Sequence, residues 1–448
     1  MRFFRAFVAF VLVLGLAAPL LQAMEKQPLT TYHARRVALG SQIEGGVAVL
    51  FAAPEPLLDF MAYRQDSEFF YLTGWTEPGA ALMIVASDAK AGQPRPYREI
   101  LFLPTRNRRM ELYTGAKMDS ATPQATVKTG FDEVLPMSAM PAVLNQLIDA
   151  DRRMAYRIWG QPSSEPTRAL ASFTDTTLGM DEVPATRNVS APIDELRLVK
   201  DAGEIELMKK GAAASVAAQL EMMHSVKPGV TELAIAGKMA AVWAEHGCER
   251  ASYAPIVGSG PNSTVLHYSE NSRTIEDGDL VNVDAACEYS MYAADITRTV
   301  PANGHFTPRQ REIFEVVRGA QQAAIDAFVA GKSTINDRDR KDPNSLDTVA
   351  YNYINTHGKD LHGDPLGKYW LHGLGHMIGI EVHDPSAYPA VLKPGMFFTI
   401  EPGVYIAEEK IGVRLECHFL VGPDGKLIDL DKDLPHTPDE IEAEMKRK

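Results

Sequence analysis

The chain contains 448 residues, of which 45% are hydrophobic and 23% are charged. This composition is that of an ordinary globular protein, so it excludes a disordered chain, a collagen-like chain and a small disulfide-stapled scaffold, and the length predicts two or three domains. With 45 basic and 58 acidic residues the formal net charge is −13, so the general attraction to phosphate on which nucleic-acid binders depend is missing, and we expect neither DNA nor RNA as a partner.

The first 23 residues differ from the rest of the chain. Arg2 and Arg5 precede a run of about 16 residues, from Ala6 to Leu21, that contains no charged side chain. A basic start followed by such a run is typical of a secretory signal peptide, and the run is shorter than the roughly 20 residues that a membrane-spanning helix needs. We therefore expect a signal peptide over residues 1–23, export to the periplasm or secretion, and no stable membrane insertion after cleavage. The alternative is an uncleaved segment that anchors the protein to the membrane.

Export would place the three cysteines, Cys248, Cys287 and Cys417, in an oxidising compartment. Three is an odd number, and their spacing resembles no disulfide framework. We therefore expect buried free thiols. Cys287 follows an apolar run that begins at Val281, so we expect it in the core and not as a nucleophile.

Short apolar runs bounded by Gly, Pro and Asp predict strands in the first part of the chain, at Val47–Phe51, Ala80–Ala86 and Glu99–Phe102. Helix-like stretches lie between later runs, which indicates an α/β domain. Residues 160–190 are rich in Pro, Ser and Thr and have few periodic apolar positions, so we place the domain boundary there. The predicted division is an N-terminal domain with its linker over residues 24–190 and a second domain over residues 191–448.

Helices and alternating strands are both predicted in the second part of the chain, which indicates an α+β domain. The predicted helices are Ile193–Met223, Thr231–His246 and Gln310–Val329. Alternation of apolar and polar residues predicts strands at Leu280–Ala285, Met396–Val404 and Ile411–Val421. The charged stretch from Asp337 to Pro343 is predicted to be an exposed loop.

Four carboxylates stand in sequences whose neighbours are expected to be buried: Asp284, Asp295, Glu401 and Glu416. Burying a carboxylate is costly unless it is paired or bound to a cation. Two arrangements satisfy that requirement: the acids are dispersed and paired with cations such as Arg298 and Arg414, or they converge and ligate metal.

The stretch from His372 to Asp384 adds histidines to this pattern. His372 and His376 are four residues apart, but Gly373 stands where the helical zinc motif has Glu. Glycines within the stretch disfavour a helix, so a strand or a bent loop that allows close approach to a site fits better.

Five blocks of this second part resemble the Xaa-Pro aminopeptidases and prolidases, the proline-specific members of the pita-bread metallopeptidases, in order and approximate spacing. They are IVGSGPNSTVLHYSEN, DAACEYSMYAADITRTVP, HGLGHMIGIEVHD, EPGVYI and GVRLE. The stretch from Arg64 to Leu82 is similar to the N-terminal domain of aminopeptidase P. The resemblance implies an α/β N-terminal domain of the creatinase and aminopeptidase P type, followed by an α+β pita-bread catalytic domain.

Carried over position by position, the resemblance implies that two divalent metal ions are ligated by Asp284, Asp295, His376, Glu401 and Glu416, with Asp295 and Glu416 bridging the two. Four carboxylates balance the charge of two dications, and many oxygen donors with one imidazole suit Mn²⁺ best, while Zn²⁺ and Co²⁺ also fit. Such a pair of ions can share a hydroxide that serves as the nucleophile and can polarise the scissile carbonyl.

The same resemblance assigns catalytic roles beyond the metal. His267 and His383 are expected to hydrogen-bond the substrate and the tetrahedral intermediate, the alternative for each being a buried structural histidine. Glu401 is the expected proton shuttle to the leaving proline nitrogen. Three further residues match family positions near the substrate: Arg414, His372 and Tyr405. Of these, His372 is expected to lie behind the residues that touch the substrate. For Arg414 the alternative is charge balance for Glu416.

The sequence departs from the family at two places. Cys417 and His418 follow Glu416, where family members often continue with acidic residues, and on a strand His418 would share a face with Glu416. We therefore expect His418 beside the metal ligands, where it affects metal affinity or pKa. Tyr113 stands where related aminopeptidases commonly have Trp, at a position that can help to build the pocket of a neighbouring subunit. A homodimer or homotetramer is expected.

The function that the resemblance implies is a metallo-exopeptidase, namely a di-metal aminopeptidase that removes the first residue from peptides with proline in second position. One alternative is a prolidase that is restricted to Xaa-Pro dipeptides. A less favoured alternative is a metal-free pita-bread binding protein, since all five ligand positions carry competent residues. A methionine aminopeptidase is disfavoured, because those enzymes generally lack so large an N-terminal domain.

Overall fold

The computed structural model of the chain describes residues 24–56, 62–88, 97–161, 186–386 and 390–447. The expected signal peptide lies outside these ranges, as do residues 162–185 of the expected boundary segment. A search of the described ranges finds no helix with the length and apolar character needed to cross a bilayer.

In its described residues, the N-terminal part is built on one sheet of six strands. They are β1 (Val47–Phe51), β2 (Ala81–Val85), β3 (Arg98–Leu103), β4 (Glu133–Pro136), β5 (Ile158–Gly160) and β6 (Arg187–Asn188). Their order across the sheet is β4-β3-β2-β1-β5-β6, with β1, β2 and β3 antiparallel and the outer pairs parallel. All three strands predicted in this part are confirmed within a residue at each end.

Helices cover both faces of this sheet. They are α1 (Leu29–Gln42), α2 (Ser67–Thr73), α3 (Glu111–Thr114), α4 (Ala125–Thr129) and α5 (Met140–Ala150). Because successive side chains of a strand point to opposite faces, β1 places Leu50 in the same core cluster as Phe69 of α2, and Val49 in the same cluster as Leu144 of α5. Strands buried on both faces produce continuous apolar runs, which is why these segments were recognisable in the sequence.

The second part combines long helices with four small antiparallel sheets. The helices are α6 (Ser190–Leu198), α7 (Ala202–Ser225), α8 (Glu232–Glu245), α9 (Pro308–Ala327), α10 (Leu346–His357) and α11 (Pro438–Met445). The strands are β7 (Arg250–Ala251), β8 (Ile256–Ser259), β9 (Leu280–Asp284), β10 (Cys287–Tyr289), β11 (Tyr292–Ala293), β12 (Thr297–Pro301), β13 (Phe397–Ile400), β14 (Gly403–Ile406), β15 (Ile411–Arg414), β16 (Cys417–Val421) and β17 (Leu427–Asp429). The sheet orders are β11-β10-β7, β12-β9-β8, β13-β16-β17 and β14-β15. Helix α7 lies against β10 and β11, and α9 lies against β14 and β15.

Two predicted helices differ from those observed. The helix predicted over Ile193–Met223 is two helices, α6 and α7. Asp201 ends the break with a capping box: its carboxylate accepts from the amide of Glu204 at 2.9 Å, and Glu204 accepts from the amide of Asp201 at 2.9 Å. A second capping box, formed by Thr307 and Gln310, starts α9 two residues before its predicted beginning. The prediction for α8 is confirmed, with Thr231 as its N-cap.

Two predicted strands are each broken once. Met396–Val404 divides into β13 and β14 around Glu401 and Pro402, and Ile411–Val421 divides into β15 and β16 around Leu415 and Glu416. The alternation of apolar residues continues through both breaks and therefore hides them. Each break contains one of the two glutamates noted in the sequence, Glu401 or Glu416, and places it outside the strand pairing.

The expectation of three free thiols is wrong. Cys248, just after α8, is joined by a disulfide to Cys287 of β10, 39 residues further on, whereas Cys417 is free and buried. Cys287 lies in the core as expected, with no exposed surface. An odd number of cysteines does not exclude one bridge, and the two cysteines are brought together by the antiparallel pairing of β7, which follows Cys248, with β10.

Candidate metal centre

The predicted site residues meet at one cavity of about 280 Å³ in the second part of the chain. Ten of the predicted residues either line this cavity or lie directly behind its lining. The lining includes His267, Asp284, Asp295, His372, His376, His383, Glu401, Arg414 and Glu416. Tyr405 lies behind this lining, within hydrogen-bond distance of His372 and Arg414. Dispersal of the acids, the alternative left open above, is therefore not what the chain does.

Each of the four carboxylates stands where a strand ends or breaks. Asp284 is the last residue of β9, Asp295 lies between β11 and β12, Glu401 follows β13, and Glu416 lies between β15 and β16. Three of these acids lie outside the strand ladders and Asp284 ends one, so acids from separate antiparallel sheets can point into one space.

His376 faces the carboxylates with one defined nitrogen. Its Nδ1 lies 3.1 Å from the carbonyl oxygen of Met377 and donates to it. Its Nε2 is 3.3 Å from Asp295 Oδ2 and 3.4 Å from Glu401 Oε1. One donor atom each from Asp295, His376 and Glu416 lies within 4.8 Å of the others. Nε2 is thereby directed at the acids, which is the orientation of metal-ligating histidines. Burial lowers the pKa of His376, but the hydrogen bond to Asp295 and the charges of Glu401 and Asp295 outweigh it and raise the pKa to about 9, so a cation bound here would take the place of the Nε2 proton.

The stretch that carries His376 is not a helix, as expected. The amide of Thr399 in β13 donates to the carbonyl oxygen of His376 at 3.0 Å, and Met377 forms a β-bridge with Phe398. A Cβ at Gly375 would lie 2.1 Å from the carbonyl oxygen of Thr399, so only glycine allows this close approach.

Polar neighbours fix most of the carboxylate oxygens. Tyr253 donates its hydroxyl to Asp284 and, at 2.6 Å, to Asp295. Thr297 donates to Glu416 Oε2 at 2.7 Å. The other oxygen of that carboxylate, Glu416 Oε1, is buried and has no hydrogen-bond partner anywhere in the described part of the chain. A buried carboxylate oxygen without a donor is costly, and a cation would satisfy it.

Burial and mutual repulsion shape the pKa values of the acids. Burial raises the pKa of Asp284 to about 6 and that of Glu401 to about 7. Burial and three neighbouring carboxylates raise the pKa of Glu416 well above its usual range. The protein alone thus supplies too little positive charge for four ionised carboxylates, and two divalent cations would supply what is lacking.

Arg414 contacts Asp284 directly and acts on Glu416 through its charge. Its guanidinium donates to Asp284 and, at 3.0 Å, to the hydroxyl of Thr297, whereas no contact joins it to Glu416. It also donates to the hydroxyl of Tyr405 at 2.9 Å, and that hydroxyl lies 2.8 Å from His372 Nε2. Arg414 thus balances charge among the carboxylates and also lines the cavity, and its expected place near the substrate stays a prediction.

His372 is held neutral in this chain of contacts. Burial and the charge of Arg414 lower the pKa of His372 to about 3. Its Nδ1 donates to the carbonyl oxygen of Gly373, so Nε2 accepts the proton of the Tyr405 hydroxyl. His372 thus stands behind Arg414 and orients it through Tyr405.

His267 and His383 are not buried structural histidines. Both are exposed and line the cavity. The ring of His383 lies 4.2 Å from that of His376, measured between centroids. They are available to a molecule that enters the cavity.

Three residues near the site were not predicted from the sequence. Tyr253 bridges two carboxylates, as described above. Asn336 clamps the histidine-bearing loop, accepting from the amide of Leu374 at 2.8 Å and donating to the carbonyl oxygen of Gly375 at 2.6 Å. Arg64, from the N-terminal part, donates to the carbonyl oxygen of Ile380 at 2.8 Å. Arg64 and Tyr253 lie in or just before recognisable blocks, but nothing in the sequence singled out Asn336.

Two family models match the chain. Residues 206–423 match metallopeptidase family M24, and residues 32–156 match the N-terminal domain of aminopeptidase P. Among similar proteins, the Xaa-Pro aminopeptidase of Escherichia coli is 32% identical over 92% of this chain and 97% of its own length. Human Xaa-Pro aminopeptidase 3 is 32% identical over 85% of this chain and 76% of its own length.

Solved structures agree with these matches. A variant of E. coli aminopeptidase P superimposes with a TM-score of 0.82 and 28% identity, covering 94% of this chain and 99% of that one. The zinc-substituted E. coli enzyme in complex with product gives a TM-score of 0.81 with 29% identity and the same coverage. The expected order of an α/β N-terminal domain of the aminopeptidase P type and an α+β pita-bread domain is confirmed. The chain therefore belongs to metallopeptidase family M24, in the group that carries an aminopeptidase P N-terminal domain, and it is a metallo-exopeptidase.

Proposed function

We propose that the protein is an exported aminopeptidase that uses two divalent ions to hydrolyse the bond between an N-terminal residue and a proline in second position. The observation that carries this proposal is the convergence of four carboxylates and His376 on one cavity, in a chain that aligns with Xaa-Pro aminopeptidases along both of its domains. The tertiary amide of an Xaa-Pro bond lacks an N–H group, so a dedicated pocket for it is physically reasonable.

The residues that would hold the ions are Asp284, Asp295, His376, Glu401 and Glu416. The donor set fits: four carboxylates match the charge of two dications, and the unpartnered Glu416 Oε1 offers a bond that the protein itself does not use. Oxygen donors with one imidazole favour Mn²⁺, and Zn²⁺ or Co²⁺ are compatible. When bound, such ions acidify the attacking water and polarise the scissile carbonyl.

The remaining residues act on the substrate. His267 and His383, exposed at the cavity, are positioned to donate hydrogen bonds to the substrate and to the oxyanion that develops during attack. Glu401 accepts a proton from the attacking water and returns it to the leaving proline nitrogen. Arg414, oriented by Tyr405 and His372, presents its charge at the cavity wall.

Substrate length separates the aminopeptidase from the prolidase alternative. The mature protein is dialysed against chelator, Mn²⁺ is restored, and the release of the first residue is measured from an Xaa-Pro dipeptide, an Xaa-Pro-Xaa tripeptide and the matching Xaa-Ala-Xaa tripeptide. The proposal predicts metal-dependent cleavage of the Xaa-Pro tripeptide and little cleavage of the alanine peptide. Cleavage of the dipeptide alone would establish a prolidase, and no cleavage of any peptide would contradict both.

A matched pair of variants ties this activity to the cavity. Glu401→Gln removes a carboxylate of the cluster, whereas Glu408→Gln removes an exposed carboxylate a few residues along the chain. We expect the first variant to lose activity by 100-fold or more, on the order of a removed acid–base group, and the second to match the wild type.

Export and assembly belong to the same proposal. The disulfide between Cys248 and Cys287 supports an oxidising compartment. Sequencing the N-terminus of the protein isolated from its cells tests removal of residues 1–23. The exposed side chains of Leu112 and Tyr113, on α3, support a homodimer or homotetramer, which light scattering tests. The proposed division into domains at residues 24–190 and 191–448 is supported by family matches that fall on either side of the boundary.

A further inference from the structure

The main-chain amide of Asp295 lies outside the strand ladders. Residues 294–296 connect β11 to β12 without strand pairing. The amide hydrogen of Asp295 donates to Nε2 of His418, in β16, at 2.6 Å. Both residues are buried. A buried amide needs a partner, and at this position His418 provides what the ladder does not.

Asp431 holds the other side of the same imidazole. Its Oδ1 lies 3.1 Å from His418 Nδ1, and its Oδ2 accepts from the main-chain amide of His418 at 2.7 Å. Because Nε2 accepts a hydrogen bond from Asp295, it carries no proton, so the imidazole proton is on Nδ1 and is donated to Asp431. The orientation and the tautomer of His418 are therefore fixed from two sides.

The choice of histidine also avoids adding charge. An acidic residue at position 418 would place a further carboxylate beside the four that already repel one another at the cavity. The neutral imidazole supplies an acceptor without that penalty. In β16, His418 pairs with Thr399 of β13, and Thr399 donates to Glu401 Oε1 at 3.3 Å. His418 thus links the main chain at Asp295 to the strands that carry Glu401 and Glu416.

We infer that His418, oriented by Asp431, is a positioning residue that fixes the main chain at Asp295 and thereby the direction of its carboxylate. This inference rests on the proposed function, in which Asp295 is a metal ligand. Outer partners of metal ligands typically change metal affinity 10- to 100-fold when they are removed.

Two substitutions by residues of similar size distinguish the effect of the hydrogen-bond acceptor at position 418 from the effect of side-chain volume. His418→Met removes the acceptor, whereas His418→Gln retains an amide oxygen that can accept from Asp295. His224→Met serves as the control. His224 contacts Glu444 at one end of α7, and the contacts of α7 with β10 and β11 lie towards the other end. The measurement is the affinity of the metal-free full-length protein for Mn²⁺ by titration calorimetry, with no substrate present.

The expected result is an affinity reduced 10- to 100-fold in His418→Met, largely restored in His418→Gln, and unchanged in the control. Should His418→Met fail to fold, Asp431→Asn is expected to weaken Mn²⁺ binding about 10-fold, because asparagine keeps only one of the two acceptor oxygens, so the imidazole and the main-chain amide of His418 cannot both keep their partner. An affinity within twofold of the wild type in both His418→Met and Asp431→Asn would overturn the inference and leave the proposed function intact. Absence of Mn²⁺ binding by the wild type would overturn the proposed function, and the inference with it.

Discussion

Tyr253 lies between two of the four carboxylates of the cavity. Its hydroxyl donates to one carboxylate of β9 and to one that follows β11, and the residue is partly buried. Burial and the adjacent acids raise the pKa of this hydroxyl well above its usual value, so it remains a donor at all ordinary pH. It keeps Asp284 and Asp295 at a fixed separation.

Tyr253→Phe is predicted to reduce kcat by roughly 10- to 100-fold, because a buried hydrogen bond to a charged group contributes about 1.5–3 kcal/mol. Steady-state assays on the Mn²⁺-loaded enzyme measure this effect. The matched control is Tyr71→Phe, which removes a buried hydroxyl that donates to a carbonyl oxygen in another region. Equal activity of the two variants would show that the Tyr253 hydroxyl plays no part in the reaction.

The types of individual residues predicted which residues belong to the site better than they predicted which residues contact one another there. Buried acids and closely spaced glycines and histidines marked the right stretches, because their cost or their flexibility needs a reason. The partner of Arg414 and the contact of His418 with Asp295 could not be predicted in the same way. Both depend on which strands lie side by side, and sequence alternation defines a face of a strand but not its neighbour across the fold.

At the scale of elements, the breaks in two strands place the glutamates. Periodicity predicted the strands around Glu401 and Glu416 but not the breaks, since apolar residues continue through them. The pair β14 and β15 branches away as a separate ribbon at these points. Strand positions were therefore predictable, whereas the departure from the ladder that exposes each carboxylate to the cavity was not.

Arg64 connects the N-terminal part to the loop that carries His376 and His383. Its guanidinium donates to Glu288 at 2.8 Å and to the carbonyl oxygen of Ile380 at 2.8 Å. Arg64→Met is predicted to lower kcat/KM at least about 10-fold, because small displacements of catalytic groups are costly. Faster hydrogen exchange over residues 376–384 should accompany the loss. Arg98→Met, which removes a partly exposed ion pair in the same domain, is the control.

A buried ion pair ties α1 to β3 within the N-terminal part. Burial alone would raise the pKa of Glu99, but hydrogen bonds and the charge of Arg36 outweigh that effect and lower it. The guanidinium nitrogen and the carboxylate oxygen are 2.8 Å apart, and both side chains are fully buried. Since the folded pKa lies below the unfolded one, the stabilisation is complete above the unfolded pKa and is lost as the pH falls through the folded pKa.

Glu99→Gln is therefore predicted to lower the free energy of unfolding at pH 7 by about 3 kcal/mol, since it leaves Arg36 without its charged partner. The difference in the free energy of unfolding between the variant and the wild type should become smaller as the pH falls below the usual pKa of glutamate. Urea unfolding across this pH range measures it. Glu133→Gln, which disrupts a more exposed pair, should cost less than about 1 kcal/mol. A difference that stays constant with pH would contradict the assignment.

At the scale of the whole molecule, the two-domain architecture could be predicted from the sequence, whereas the disulfide between Cys248 and Cys287 could not. Five spaced blocks indicated the catalytic domain, and three buried strands indicated the first. Cysteine counting failed because the disulfide depends on the pairing of β7 with β10, which no local pattern encodes.

Labelling of thiols in the denatured, unreduced protein is predicted to modify one cysteine per chain, Cys417, and three after reduction. Replacing both Cys248 and Cys287 with Ser should lower the free energy of unfolding by roughly 2–4 kcal/mol. Mass spectrometry counts the labels, and denaturant titration gives the stability. Three labelled cysteines without reduction would contradict the bridge.

The number of Mn²⁺ ions bound per chain is the most direct test of the five-residue metal centre. The metal-free protein is titrated with Mn²⁺, and bound metal is counted after removal of the free ion, in the wild type and in Glu416→Gln. Two ions per chain are predicted for the wild type and fewer than two for the variant, because Glu416 is one of the five proposed ligands. A wild type that binds no ion, or a variant that still holds two with unchanged affinity, would contradict the centre.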